Sequence, residues 1–118
     1  MRIKLSDAII KGREKRPQIR GNYKKKLRKP VGEINFGTCD VGAAYEGITG
    51  QLPPYMSSFK AYQLCLVLVE SCDLNNLSHS VEFEGKDYEN ILNLLVELND
   101  KYKWSTEKTV TWLKERGL

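Results

Sequence analysis

Apolar residues recur at helical spacing most clearly near the end of the chain. Tyr88, Ile91, Leu92, Leu94, Leu95 and Leu98 mark one face of a helix that Asp87 would cap and that would run to about Tyr102. After a short turn at Lys103 and Trp104, Ser105 would open a last helix carrying Val110, Trp112 and Leu113, with basic Lys114 and Arg116 in its final turn and Gly117 after it. Upstream, the run from Phe59 to Val69 is too short for periodicity to decide between helix and buried strand, but its length and a cap at Ser57 or Ser58 favour helix. Ser80 to Glu84 alternates instead, Val81 and Phe83 opposing Glu82 and Glu84, which predicts a half-exposed strand turning at Gly85.

The first half is less regular. Ser6 as cap, Asp7 in the first turn and the Leu5 and Ile10 staple predict a helix that Pro17 stops. Its few apolar positions, Leu5, Ala8 and Ile9, place it on the surface with Lys11, Arg13, Lys15 and Arg16 facing outward. The stretch from Pro17 to Pro30 contains Gly21, Asn22 and the run Lys24, Lys25, Lys26, Leu27, Arg28, Lys29, whose mutual repulsion favours an exposed, mobile loop. Gly32 to Gly37 reads as one short strand with Ile34 and Phe36 on one side, a candidate partner for the strand at Val81. Thr38 would cap a short helix through Cys39, Val41, Ala43, Ala44 and Tyr45, ending at Gly47 or Gly50, and its small residues Gly42, Ala43 and Ala44 would allow close backbone packing. Gln51 to Tyr55, with Pro53 and Pro54, is a loop. The expected fold is mainly α: one small helical domain over residues 1–118, with at most a short two-stranded β element, a basic exposed loop at 17–32 and a C-terminal pair at 87–118 resembling a helix-turn-helix.

Composition changes this picture in one respect. A chain of 118 residues, 41% hydrophobic and 29% charged, can close one core and is too apolar for a disordered segment. The net charge of +4, however, is uneven: residues 1–29 hold twelve Lys and Arg against Asp7 and Glu14, while the remainder is acidic. Such asymmetry marks a segment that meets nucleic acid or another polyanion, or one that is neutralised by the chain's own acidic surface or across a homo-oligomer. No secretory pattern stands in the first ten residues, and the most apolar window, Leu64 to Val69, falls far short of the roughly 20 residues that cross a bilayer, so a cytoplasmic protein with no membrane partner is expected. Cys39, Cys65 and Cys72, odd in number and without a C-x-x-C pair, read as buried free thiols.

Two ordered stretches carry a resemblance. Lys4-Leu5-Ser6 with Ala8-Ile9, Arg16-Pro17-Gln18 with Gly21, and Cys39 with Gly42-Ala43-Ala44-Tyr45-Glu46 resemble the N-terminal half of a set of small bacterial and bacteriophage proteins to which no activity is assigned. Leu98-Asn99-Asp100, Trp104-Ser105 with Glu107, and Trp112-Leu113 resemble its C-terminus. The match covers about half of the chain and implies a bacterial or phage setting. Members of that set carry a C-x-x-C pair and a histidine in an arrangement like a structural zinc site; here Tyr102 stands at the histidine position and no such pair exists, which implies that this chain lacks the metal.

Candidate chemistry is sparse. Cys65, Cys72 and His79 could offer ligands to a metal, or Cys72 and His79 a nucleophile and base, but neither a fourth ligand nor a catalytic signature accompanies them. Glu82 with Glu84, and Glu97 with Asp100, would share faces at spacings common on solvated surfaces. The stretch from Gly42 to Gly50 lacks the spacing of a phosphate loop. A helix-turn-helix reader would expose Lys108, Thr109, Thr111 and Glu115, yet no Arg or Asn stands where base edges are read, and Trp104 and Trp112 look like packing anchors.

The sequence therefore predicts no enzyme, no catalytic residue, no metal and no cofactor, but a non-catalytic accessory protein acting by macromolecular docking. Tyr45, Tyr55, Phe59 and Tyr62 are its candidate anchors for a protein partner. The alternative is nucleic-acid binding through the basic arm, with Arg13, Arg16, Arg20, Lys24, Lys25, Lys26, Arg28 and Lys29 on phosphates and Tyr23 stacking on an unpaired base.

Overall fold

The first helix is where sequence and structure part most sharply. The computed structural model describes residues 2–54, 58–74 and 81–118, with the backbone alone for 58–62. In it α1 (Leu5–Arg13) is a core element: Leu5, Ser6, Ala8, Ile9 and Gly12 are buried, and only Asp7 and Lys11 are exposed. Ser6 does not cap the helix; Lys4 holds that position without a side-chain bond, and the buried Ser6 hydroxyl has no hydrogen-bond partner among the described residues. Few apolar residues suffice because small ones let the backbone itself come close. A side chain at Gly12 would overlap the carbonyl oxygen of Ala43, and one at Gly47 that of Ala8, so α1 and α2 (Asp40–Thr49) cross almost in backbone contact. Gly42, Ala43 and Ala44 are buried along this crossing and its neighbourhood. The cap of α2 is the Cys39 thiol, which accepts from the Gly42 amide at 3.4 Å, in place of the expected Thr38, and Gly50 closes it with φ 76°.

The basic stretch is not a loop. It forms β1 (Lys24–Val31), antiparallel to β2 (Ile34–Thr38), with Lys24 opposite Thr38 and Lys26 opposite Phe36. The register then slips, so that Leu27, Arg28, Lys29 and Pro30 bulge before Val31 pairs with Ile34. Repulsion along one strand is small when successive side chains point to opposite faces and all reach water, and the ladder supplies the order.

A helix, α3 (Ser58–Ser71), occupies the apolar run, with Leu64 and Leu68 in the core. The expected caps Ser57 and Ser58 lie outside the described side chains. Val81 does not pair with the first hairpin. It begins β3 (Val81–Phe83), which pairs antiparallel with β4 (Lys86–Tyr88) across a tight turn at Glu84 and Gly85, both at positive φ, as a two-residue hairpin requires. Residues Asp87 and Tyr88 thus belong to a strand, and α4 (Ile91–Asp100) starts later, capped by Asn90, whose side chain accepts from the Asn93 amide. The last helix, α5 (Thr106–Glu115), is capped by Ser105 as expected.

The fold among the described residues is thus five helices with two separate two-stranded sheets, mixed in content though helices hold close to half of the chain. No helix there is long and apolar enough to cross a membrane. The core gathers Leu5, Ile9 and Val41 with Leu64, Leu68, Leu94, Leu95, Leu98 and Leu113. The second hairpin is pinned by Phe83, which meets Tyr102, Trp104 and Trp112 edge-on at 5.4, 5.6 and 6.2 Å. The two tryptophans therefore serve packing, and Thr109 faces the core with no exposure, where a helix-turn-helix reader would have presented it.

The α1 and α2 crossing yields a sign test. In a free helix Gly12→Ala would gain about 1 kcal/mol from propensity, whereas here the methyl group meets backbone, and overpacking costs roughly 1–3 kcal/mol or more. Urea unfolding should therefore show the variant destabilised; a raised midpoint would contradict the packing described.

Candidate nucleic-acid interface

The eight predicted cationic contacts divide into two groups, with Lys24 between them. Arg13, at the end of α1, turns inward: its Nε donates to Thr106 Oγ1 at 3.0 Å, Nη1 to the Thr38 carbonyl at 2.9 Å and Nη2 to Asp40 Oδ1 at 3.1 Å. Thr106 in turn donates to the same Asp40 oxygen at 2.8 Å. Asp40 is wholly buried, and that burial pushes its carboxyl above the usual range, against the Thr106 hydroxyl and the Arg13 charge, which favour the ionised form. Arg16 makes a two-pronged pair with buried Glu46, Nε to Oε1 at 2.7 Å and Nη2 to Oε2 at 2.8 Å, and also donates to the Phe36 carbonyl. Arg20 donates to the Lys103 carbonyl at 3.0 Å. These three arginines tie the N-terminal segment to the body.

Lys25, Lys26, Arg28 and Lys29 behave differently. All four are exposed on β1 and its bulge, and no hydrogen bond or salt bridge holds their side chains among the described residues. Lys24 is half-buried, its ammonium 5.4 Å from the centre of the Phe36 ring. Beyond them the hairpin tip presents Val31, the most exposed large apolar side chain described. Lysines along an edge strand also discourage pairing with another chain, so the strand's charge has a use in solubility as well.

The foot of this hairpin frames a cleft of about 470 Å³ lined by Gly21, Asn22, Tyr23, Lys24, Lys25, Lys26, Cys39, Pro54, Val96 and Asp100. The segment before β1 is held in place by side chains from the two motif stretches, brought together across the fold. Gln18 donates to Asn99 Oδ1 at 2.7 Å and to the Trp104 carbonyl at 3.0 Å, and buried Asn99 donates to the Ile19 carbonyl at 2.9 Å. Asp100 Oδ1 accepts from the Gly21 amide at 2.9 Å and from Asn99 at 2.7 Å. Tyr23 is fixed through its carbonyl, which accepts from the Cys39 amide at 3.3 Å and lies where any side chain at Gly42 would stand. The sequence traces of this scaffold are Arg16-Pro17-Gln18 with Gly21, and Leu98-Asn99-Asp100, polar residues ending an otherwise apolar helix face.

Other candidate chemistry disperses. Burial pushes the Cys39 thiol up to about 12 and the Cys72 thiol up to about 11, and raises Cys65 as well, so these sulfurs stay protonated at neutral pH. Cys39 is fully buried but Cys65 and Cys72 only partly. His79 lies outside the described residues, and among those described no three metal-ligating side chains cluster. Glu84 sits in the turn, not on one strand face with Glu82. Glu97 and Asp100 take separate partners, Glu97 accepting from the Tyr88 hydroxyl at 2.6 Å and pairing with Lys86 at 3.0 Å. Of the aromatic docking set, Tyr45 is half-buried in α2 beside Pro54 and Leu66, while Tyr55 and the side chains of Phe59 and Tyr62 lie outside the described residues. The chain matches no protein-family model, no curated protein and no solved structure.

The Tyr88 and Glu97 contact gives stability a pH signature. Its hydrogen bond to Glu97, with burial behind it, raises the Tyr88 phenol above its ordinary value near 10, while Tyr88 and then Lys86 lower Glu97 below 4.5. A raised phenol adds stability that is complete below about pH 10 and is lost as pH climbs toward the folded value. The lowered carboxyl adds stability that is complete above its unfolded value and is lost in acid. Urea midpoints measured from neutral to about pH 11 should fall less steeply in Tyr88→Phe than in the parent; parallel curves would refute the coupling.

Proposed function

We propose that this protein is a non-catalytic nucleic-acid-binding accessory protein whose β1 and β2 hairpin lies along a phosphate backbone, in the bacterial or phage setting that its sequence motifs imply. The observation that carries the reading is the division of its cations. Arg13 and Arg16 are committed to buried carboxylates, whereas Lys25, Lys26, Arg28 and Lys29 project from one strand without internal partners among the described residues. A cation already in a salt bridge has little to offer a phosphate; a solvated one releases counterions when it meets the backbone. The binding group is then narrower than the basic N-terminal arm as a whole.

A protein partner is the second reading, favoured by Leu66, 40% exposed on α3, which shares a shallow hollow with Tyr45, Pro54 and Val67.

Fluorescence anisotropy against short DNA and RNA, at low and moderate salt, separates the two. Saturable binding should weaken steeply with salt, and replacing Lys25, Lys26 and Arg28 by Glu should abolish it while leaving the unfolding free energy from urea titration within about 0.5 kcal/mol, because exposed side chains contribute little to folding. Parent-like binding by the triple variant, or no binding at low salt, contradicts the hairpin assignment.

A further inference from the structure

The cleft at the foot of the hairpin contains more than charge. Residues of three kinds line it: Tyr23, the lysines at the start of β1, and, on the α4 wall, Asp100, whose charge the Tyr23 phenol feels. Its volume of about 470 Å³ lies in the range of small-ligand sites. The lysines suit a phosphate backbone, whereas Asp100 repels phosphate: one of its oxygens tethers Gly21 and Asn99, and the other is left for a donor.

We propose that this cleft takes one unpaired base of a single strand, guanine by preference, stacked on Tyr23 with a neighbouring phosphate on a lysine at the start of β1 and its donor edge on Asp100. The inference rests on the nucleic-acid reading and adds strandedness and base preference to it. Stacking on an aromatic ring needs a base outside the duplex. Asp100 supplies the choice among bases. Its Oδ1 is occupied by the Gly21 amide and Asn99, which orient the group, and Oδ2 makes no hydrogen bond among the described residues. A carboxylate oxygen accepts only. Guanine presents two adjacent donors, its ring N–H and amino group. Cytosine and adenine set an acceptor nitrogen beside their amino groups, and thymine flanks its single N–H with two carbonyl oxygens that the carboxylate repels. Guanine therefore ranks first and thymine last.

The test compares a short thymine-only strand, the same strand with one central guanine, and the corresponding duplex, by anisotropy at one salt concentration. The parent should bind the guanine strand roughly tenfold or more tightly than the thymine strand, and both single strands above the duplex. Asp100→Asn keeps the side-chain size and an oxygen for the Gly21 amide, and its guanine-to-thymine ratio should collapse toward one. That ratio is insensitive to the general gain in affinity from removing a negative charge. Tyr23→Leu keeps apolar bulk against the core and should weaken single-strand binding about tenfold while sparing the duplex. If Tyr23→Leu does not fold, the Asp100→Asn ratio decides alone. Duplex binding as tight as single-strand binding, or an equal ratio in parent and Asp100→Asn, overturns the base pocket and leaves the hairpin as a backbone binder. No binding to any strand overturns both.

Discussion

Asp40 is a carboxylate with no exposure to solvent, and the Arg13 guanidinium at 3.1 Å is what makes its burial tolerable. The pair joins four parts of the chain at once, since Arg13 ends α1, Asp40 begins α2, Thr106 begins α5 and the Thr38 carbonyl ends β2. Removing one partner of such a pair leaves the other charged and desolvated, at a cost of about 3–5 kcal/mol, a large share of the stability of a small domain. The second Asp40 oxygen lies beside the buried Thr109 hydroxyl, which like Thr106 favours the ionised form, so α5 meets the carboxylate through two threonines. Geometry more than surplus energy is what the pair contributes: it fixes where the segment after α1 leaves the body.

From that departure point the rest follows in sequence. Arg16 closes on Glu46, Gln18 reaches Asn99, and Gly21 reaches Asp100, so the chain is tethered at short intervals before β1 begins. Only beyond these tethers do the lysines project into solvent. The backbone contact of α1 with α2 through Gly12 and Gly47 permits this route, because a thicker helix pair would move Arg13 away from Asp40. Fold and candidate site thus share one construction, in which anchoring arginines determine what the lysines can reach.

The C-terminal helices were legible because their apolar positions keep a strict period and Ser105 stands where a cap is needed. The α3 segment was readable as helix from its length. The first helix reads as a surface element because three apolar residues mark only a narrow stripe, whereas its burial is completed by Ser6 and Gly12 and by arginines whose partners lie 27 and 30 residues away. The first strand reads as a loop because a run of like charges suggests disorder, while pairing with β2 is a property of neither strand alone. Likewise Tyr88 fits the helical period of α4, and only the turn at Glu84 and Gly85 shows that it ends a hairpin. Of the site, the lysine run and Tyr23 were visible in the sequence, but the division between tethered and solvated cations was not, since nothing local distinguishes Arg16 from Arg28.

That division is the central claim, and it is most directly tested by nitrogen-15 NMR during titration with a short oligonucleotide, following the backbone amides of Lys24 to Lys29 together with the side-chain Nε–H signals of Arg13 and Arg16. The account predicts that the hairpin amides shift progressively while both arginine signals hold their positions. Movement of the Arg13 and Arg16 signals with a silent hairpin would show that the buried pairs open to meet the ligand, and would contradict it.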